Sequence, residues 1–322
     1  MSRELLLLRH GKSDWNNDLE DFYRPIKDRG KRGAQRVGVW LQQQGHIPAY
    51  VLSSPAVRAL ETARKCIKAM GGTAADIRQD SRIYEASREQ LLQVLAECPP
   101  EPPSLLLVGH NPGLEELLVW LLGDDLRLPE DGKLLPTATL ARLQLPDDWT
   151  RLGPGSASLL DCIRPQGLPK KFPFVTEAGT EYRDRPAYYY RQSAVIPYRI
   201  CKDGVEILLV SSSSGRHWVV PKGIQEPGMS PQDSAAKEAR EEAGILSGEL
   251  GQQALGDYSY SKWGSPCQVQ VYSMQVKQMV PDSDWDSGYR RRKWVSSDKV
   301  AGFLKQPELA ELALRLARQV GV

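Results

Sequence analysis

Over the first half of the chain, short apolar runs alternate with stretches whose apolar residues recur at helical spacing. The runs at 4–8, 50–53, 104–108, 138–143 and 158–163 predict strands, and the patterns at 31–44, 55–70, 88–97 and 114–122 predict helices. That alternation predicts an α/β domain over residues 1–168, a doubly wound sheet with helices on both faces. Between 165 and 190 the pattern lapses. Pro165, Pro169, Pro173 and Pro186 interrupt it and Tyr188, Tyr189 and Tyr190 follow, so residues 169–190 are expected to be a linker with its tyrosines packed on a neighbour. Strands predicted at 193–200, 205–211, 217–220, 268–276 and 292–295 then surround a helix at 230–242, and another helix closes the chain at 308–320. This second domain, 191–322, reads as α+β.

Composition narrows the functional classes. With 25% charged and 41% hydrophobic residues and a formal net charge of +2, the chain has no electrostatic case for bulk binding to nucleic acid or membrane. Cys66, Cys98, Cys162, Cys201 and Cys267 lie far apart with no C-x-x-C pair, so buried, reduced thiols are expected rather than zinc or disulfides. The apolar run Leu5, Leu6, Leu7, Leu8 ends in Arg9-His10, too short for a signal-peptide core. No run approaches the roughly 20 apolar residues of a membrane span. A cytoplasmic location is expected.

Three predicted strands of the first domain run into polar turns: Arg9-His10-Gly11-Lys12-Ser13, Ser53-Ser54-Pro55 with Arg58, and Gly109-His110-Asn111-Pro112. Ligands of open α/β sheets bind beyond the strands' carboxyl ends, so these turns are expected to converge. Two imidazoles and two guanidiniums then meet. A neutral imidazole can attack phosphorus, arginine forks can hold phosphoryl oxygens, and a protonated second histidine can supply another donor. Together with Asp21, Arg24-Pro25, Thr62-Ala63 and the turns above, residues 1–168 resemble the histidine phosphatase superfamily in its short SixA-type branch. The resemblance implies His10 as nucleophile, with Arg9, Arg58 and His110 forming the phosphate pocket and no metal in this domain. Glu85, in Ile83-Tyr84-Glu85-Ala86, resembles the leaving-group acid of larger members, and Asn16 and Arg24 are candidate substrate contacts.

The second domain announces its helix. Ser230 can cap it, Pro231 suits its first turn, and Gly244 suits its left-handed end. Inside, Glu238, Glu241 and Glu242 fall on one face, where like charges repel unless a cation neutralises them; their hard oxygens suit Mg²⁺. Pro221-Lys222-Gly223 precedes this helix. The loop and helix resemble the Nudix box of hydrolases that cleave nucleoside diphosphates linked to another group. That resemblance implies Glu238, Glu241 and Glu242 as ligands for Mg²⁺ or Mn²⁺, Glu241 as a catalytic carboxylate, and Lys222 and Gly223 at the substrate. Two positions depart from the box: Met229 replaces its Glu and Lys237 its Arg. One structural ion pair is thereby lost, and Glu226 is the acid available to replace it. Arg290-Arg291-Arg292-Lys293 reads either as a contact for further phosphates or as a solvated edge strand.

The expectation is a two-domain phosphohydrolase. The Nudix half cleaves a pyrophosphate bond in a dinucleoside polyphosphate or a nucleoside triphosphate, oxidised ones included, and the phosphatase half removes phosphate through phosphohistidine. In the alternative reading, a phosphohistidine-protein phosphatase is regulated by a nucleotide-sensing, non-catalytic Nudix half.

Overall fold

The computed structural model describes residues 3–16, 18–125, 129–147, 152–285 and 290–321. It forms two compact units, Met1–Phe172 and Pro173–Val322.

The first unit is built on β1 (Arg3–Arg9), whose leucines alternate between two cores. Leu5 and Leu7 join one cluster, Leu6 and Leu8 another. The helices α1 (Asp28–Gln44) and α2 (Val57–Met70) cover the second face through Ala34, Val37, Leu41, Ala59, Ala63 and Ile67. The first face is covered by α3 (Arg88–Ala96) and α4 (Gly113–Leu122), through Leu91, Val94, Leu114, Leu117 and Leu121. With β2 (Tyr50–Ser53), β3 (Ile77–Gln79), β4 (Ser104–Gly109), β5 (Leu140–Leu145) and β6 (Ser158–Ile163), the sheet order is β3-β2-β4-β1-β5-β6. The pairs β1–β4, β2–β4 and β2–β3 are parallel, while β5 and β6 add antiparallel edges. The carboxyl ends of β1, β2 and β4 therefore lie side by side. One expected strand shifts: Ala138 lies outside β5 at φ +60°, its N–H bonded to the Arg9 and His10 carbonyls.

The stretch expected as a linker contains a two-stranded hairpin, β7 (Phe172–Thr176) and β8 (Gly179–Arg183), and a 3-10 turn at Ala187–Tyr190. Phe172 is buried against Val39 and Ala69 of the first unit. Tyr190 is buried in the second unit, edge-on to Trp263 and Phe174.

The second unit is a mixed eight-stranded sheet between two helices. Its strands are β9 (Arg191–Cys201), β10 (Gly204–Ser211), β11 (Trp218–Val219), β12 (Lys222–Ile224), β13 (Ile245–Leu250), β14 (Gly256–Lys262), β15 (Ser265–Met279) and β16 (Arg292–Ser296). Between them lies α5 (Pro231–Ala243), and α6 (Pro307–Val320) follows. Alternation again divides the sheet. Val195, Leu208, Val210 and Tyr272 meet Ala235, Ala239 and Ala243 of α5, whereas Ile196, Ile207, Leu209 and Val271 meet Leu309, Leu312 and Leu316 of α6. Small alanines bring α5 close to the sheet. Ser230 caps it by accepting the Asp233 N–H at 3.0 Å, and Gly244 ends it at φ +66°, as expected.

The cysteines depart from expectation in exposure. None is in a disulfide, but only Cys66 and Cys267 are buried, and Cys162 is exposed.

Candidate active sites

At the carboxyl ends of β1 and β4, the rings of His10 and His110 stand 5.1 Å apart. Gly11 makes this turn possible. A Cβ there would come within 2.9 Å of the Gly30 backbone, so only glycine lets the turn press against the start of α1. The Gly11 N–H is fixed by the Thr62 hydroxyl at 2.8 Å, and that hydroxyl donates to the Arg58 carbonyl at 2.7 Å.

The tautomer of His10 follows from its partner. A carbonyl oxygen only accepts, so Nδ1 donates to the Gly11 carbonyl at 2.8 Å and the lone pair resides on Nε2. Burial, foremost, and then the charges of Arg58, Arg9 and Arg24 push His10 down to about 4, against the opposing Gly11 bond. His110 is pushed down to about 3 by burial and by His10, Arg58 and Arg9. Its Nε2 shares a 2.9 Å hydrogen bond with Ser54 Oγ, and its buried Nδ1 has no hydrogen-bond partner. Burial, foremost, and then His10 and the two guanidiniums disfavour a proton on His110, which runs against the protonated second histidine expected from the sequence.

Arg9 donates to the Leu135 carbonyl at 2.8 Å, and burial lowers its pKa. Asp21 organises the other two arginines. It ion-pairs with Arg58 at 2.7 Å and with Arg24, and it accepts from the Tyr84 hydroxyl at 2.9 Å. Tyr84 stands edge-on to His110. Sequence reasoning assigned no role to Asp21, Ser54, Thr62 or Tyr84; their signal was their place within the matched motifs.

Two expected site residues lie at the margin. Glu85 is exposed at φ +53°, a left-handed conformation unusual outside glycine, and its charge reaches Arg58. Asn16 is exposed and its backbone N–H bonds Asp14.

In the second unit, pairing of β12 with β9 sets Lys222 opposite Ala194 and Gly223 opposite Ser193. A Cβ on Gly223 would fall 2.0 Å from the Glu238 carboxylate, so the missing side chain is the space that carboxylate fills. Burial, then Glu242 and Glu241, push Glu238 up to about 7. Lys222 turns its ammonium to the Tyr260 hydroxyl at 3.0 Å and to Gln192, while its N–H holds Glu242 at 3.0 Å. Lys237 pairs with Glu226 at 2.8 Å, the replacement pair the sequence offered.

The donor set fits a divalent cation in part. Glu238 is drawn against Gly223 and repelled by its two neighbours, and Glu241 is exposed. Glu242, however, is bound by Arg290 as well as by the Lys222 N–H. Among the described residues no group of three or more His, Cys, Asp or Glu is gathered closely enough to hold an ion. Of the basic cluster, Arg290 also donates to the Ser211 carbonyl and Arg292 to the Ala243 carbonyl, and β16 pairs antiparallel with β10.

Residues 5–97 match the model of the histidine phosphatase superfamily (branch 1), and residues 190–316 match the NUDIX domain. The chain is 31% identical over 159 residues to an uncharacterized protein of Mycobacterium tuberculosis, covering 48% of this chain and 96% of that one. It is 30% identical over 104 residues to the asymmetrical bis(5′-nucleosyl)-tetraphosphatase of Sus scrofa, covering 31% and 71%. A solved structure of the putative phosphohistidine phosphatase SixA from Agrobacterium tumefaciens aligns at 30% identity and a TM-score of 0.44, covering 51% and 99%. The chain carries a histidine phosphatase superfamily domain matched at residues 5–97 and a NUDIX domain matched at residues 190–316. Both belong to families of hydrolases acting on phosphate bonds, and NUDIX domains use divalent metal ions.

Proposed function

We propose that the chain is a two-step phosphohydrolase. The NUDIX half hydrolyses a pyrophosphate bond in a dinucleoside polyphosphate or a nucleoside triphosphate, oxidised forms included, and the phosphatase half removes phosphate through phosphohistidine. One observation carries the second step: the His10 Nδ1 proton is committed to Gly11, which leaves the Nε2 lone pair on a neutral ring among arginines. The Nε2–P bond forms as the bond from phosphorus to the leaving group breaks. The leaving group keeps that electron pair and gains a proton, for which Glu85 is the nearby carboxyl. Water then attacks phosphorus and returns a proton to the Glu85 carboxylate, the N–P bond breaks with its electron pair back on His10 Nε2, and inorganic phosphate departs. Arg9, Arg24 and Arg58, with the one N–H of His110, hold the phosphoryl oxygens.

In the NUDIX half, Glu238 and Glu241 would hold Mg²⁺ or Mn²⁺, with Glu242 joining once released from Arg290. Bound there, the ion would supply Lewis-acid chemistry that makes water a better nucleophile. The tetraphosphatase relative supports the dinucleoside polyphosphate class. Cysteines without disulfides suit a reducing compartment, and we place the chain in the cytoplasm.

The test is a screen in Mg²⁺ of nucleotides, dinucleoside polyphosphates and a phosphohistidine protein, with products identified by phosphorus NMR. His10→Ala is expected to abolish phosphate release and spare pyrophosphate cleavage; Glu241→Gln is expected to do the reverse. If either variant loses both activities, the division of labour fails. A second reading, a NUDIX half that senses nucleotide without consuming it and regulates a phosphohistidine-protein phosphatase, is favoured by the Arg290–Glu242 pair. It predicts a nucleotide that alters the phosphatase rate and is recovered intact.

A further inference from the structure

Trp15 is unexplained by the chemistry above. It is 66% exposed, yet it is not a loose surface side chain: the Arg24 guanidinium carbon lies 3.5 Å from its ring centroid. Arg24 is itself buried and paired with Asp21, and its charge reaches His10. One indole face is therefore backed by a fixed cation and the other is open. An unbroken series of contacts leads from it to the nucleophile: Trp15 on Arg24, Arg24 and Arg58 on Asp21, Tyr84 on Asp21 and His110, and His110 beside His10. Phe22, edge-on at 5.2 Å to both Tyr23 and Tyr84, continues the aromatic rim.

We propose that the open face of Trp15 is a stacking platform for the base of a nucleoside 5′-phosphate whose phosphoryl group lies at His10. Any nucleobase presents a flat π-face, and stacking is tolerant of base identity. The cation behind the indole draws electron density from its far face, which favours an electron-rich ring there. Because Asp21 fixes Arg24, the platform is ordered before the ligand arrives, which lowers the entropic cost of binding. A protein partner is the poorer fit. It would need roughly 800 Å² on each side, and among the described residues of this segment the exposed large apolar side chains are Trp15, Leu19 and Tyr23. The proposal rests on the two-step reading and gives it a reason: the nucleotide released by one half is the kind of molecule this mouth accepts.

The test compares AMP with ribose 5-phosphate, the same phosphate without a base, in the full chain and in Trp15→Ala and Trp15→Phe. Trp15→Ala is expected to raise KM for AMP about tenfold, to leave kcat nearly unchanged and to leave ribose 5-phosphate unaffected, with Trp15→Phe restoring most of the loss. Equilibrium binding of AMP to the His10→Ala chain should weaken by the same factor when Trp15→Ala is added. An unchanged KM for AMP, or an equal loss on both substrates, overturns the platform while leaving the two-step reading intact. If wild type hydrolyses neither AMP nor ribose 5-phosphate but does act on a phosphohistidine protein, the two-step reading fails and the nucleotide platform fails with it. A Trp15→Ala defect confined to that protein substrate would make the rim a protein contact and refute the proposal.

Discussion

His10 is a base held neutral by its surroundings, and this has a measurable cost in acid. Its folded pKa of about 4 and that of His110, about 3, both lie below the ordinary 6.5. Below pH 6.5 the unfolded chain therefore takes up protons that the folded chain refuses. The stability tied to these rings is fully present above pH 6.5, falls as pH drops towards 4, and levels off near 3. Urea titrations between pH 7 and 4 should show His10→Ala losing less stability than wild type, with a difference on the order of 1–3 kcal/mol. The same rings fix the kinetics. Once the substrate phosphate's own second ionisation at pH ~6 is divided out, the acid limb of kcat/KM for phosphate release should lie near pH 4, because that limb reports the free enzyme's essential base. A limb near 6.5, or an identical acid loss in His10→Ala, would refute this account.

At the scale of elements, what could be read in the sequence was what the sheet requires. The leucines of β1 alternate into two cores and the small face of α5 reaches its sheet, so strong periodicity became structure directly. The strands β13 and β14 were missed because their residues carry little burial signal: within β14 only Tyr258 is buried, and within β13 only Ile245. They are strands because β15 offers them partners along its length, a long-range fact absent from local pattern. Of the sites, the histidines and arginines could be read from strand-end turns. Asp21 could not, since its function is to join side chains brought together by α2 and the 3-10 turns. Arg290 on Glu242 depends in the same way on β16 returning beside β10. Helix packing gives a sharper test. A Cβ on Gly38 of α1 would lie 2.2 Å from the Cys66 carbonyl of α2, a backbone atom that cannot swing aside. Gly38→Ala should destabilise the first unit by roughly 3 kcal/mol, measured by denaturant unfolding. Gly167→Ala, where a Cβ would meet nothing within 4 Å, should be near neutral.

At the scale of the molecule, each half has its own core and, in the proposed function, its own ligand. The unit Met1–Phe172 contains the clusters around Leu5 and Leu6, and the unit Pro173–Val322 contains those around Ile196 and Val195. A ligand that binds a folded unit stabilises that unit by RT ln(1 + [L]/Kd), about 2.7 kcal/mol at a hundredfold excess over Kd. For a unit of this size that corresponds to a rise in Tm of roughly 5–10 °C. Orthovanadate, a phosphate mimic, should raise one calorimetric transition by that amount and Mn²⁺ should raise the other. His10→Ala should cancel the vanadate shift and spare the Mn²⁺ shift, and Glu241→Gln should do the opposite. The Mn²⁺ arm also probes the charge arrangement at Glu242. Arg290→Met removes the cation that this carboxylate already holds, so it should enlarge the Mn²⁺ shift while leaving the vanadate shift alone. A single transition moved by both ligands would show that the two halves fold as one, and the assignment of one anion site and one cation site to separate units would then have to be given up.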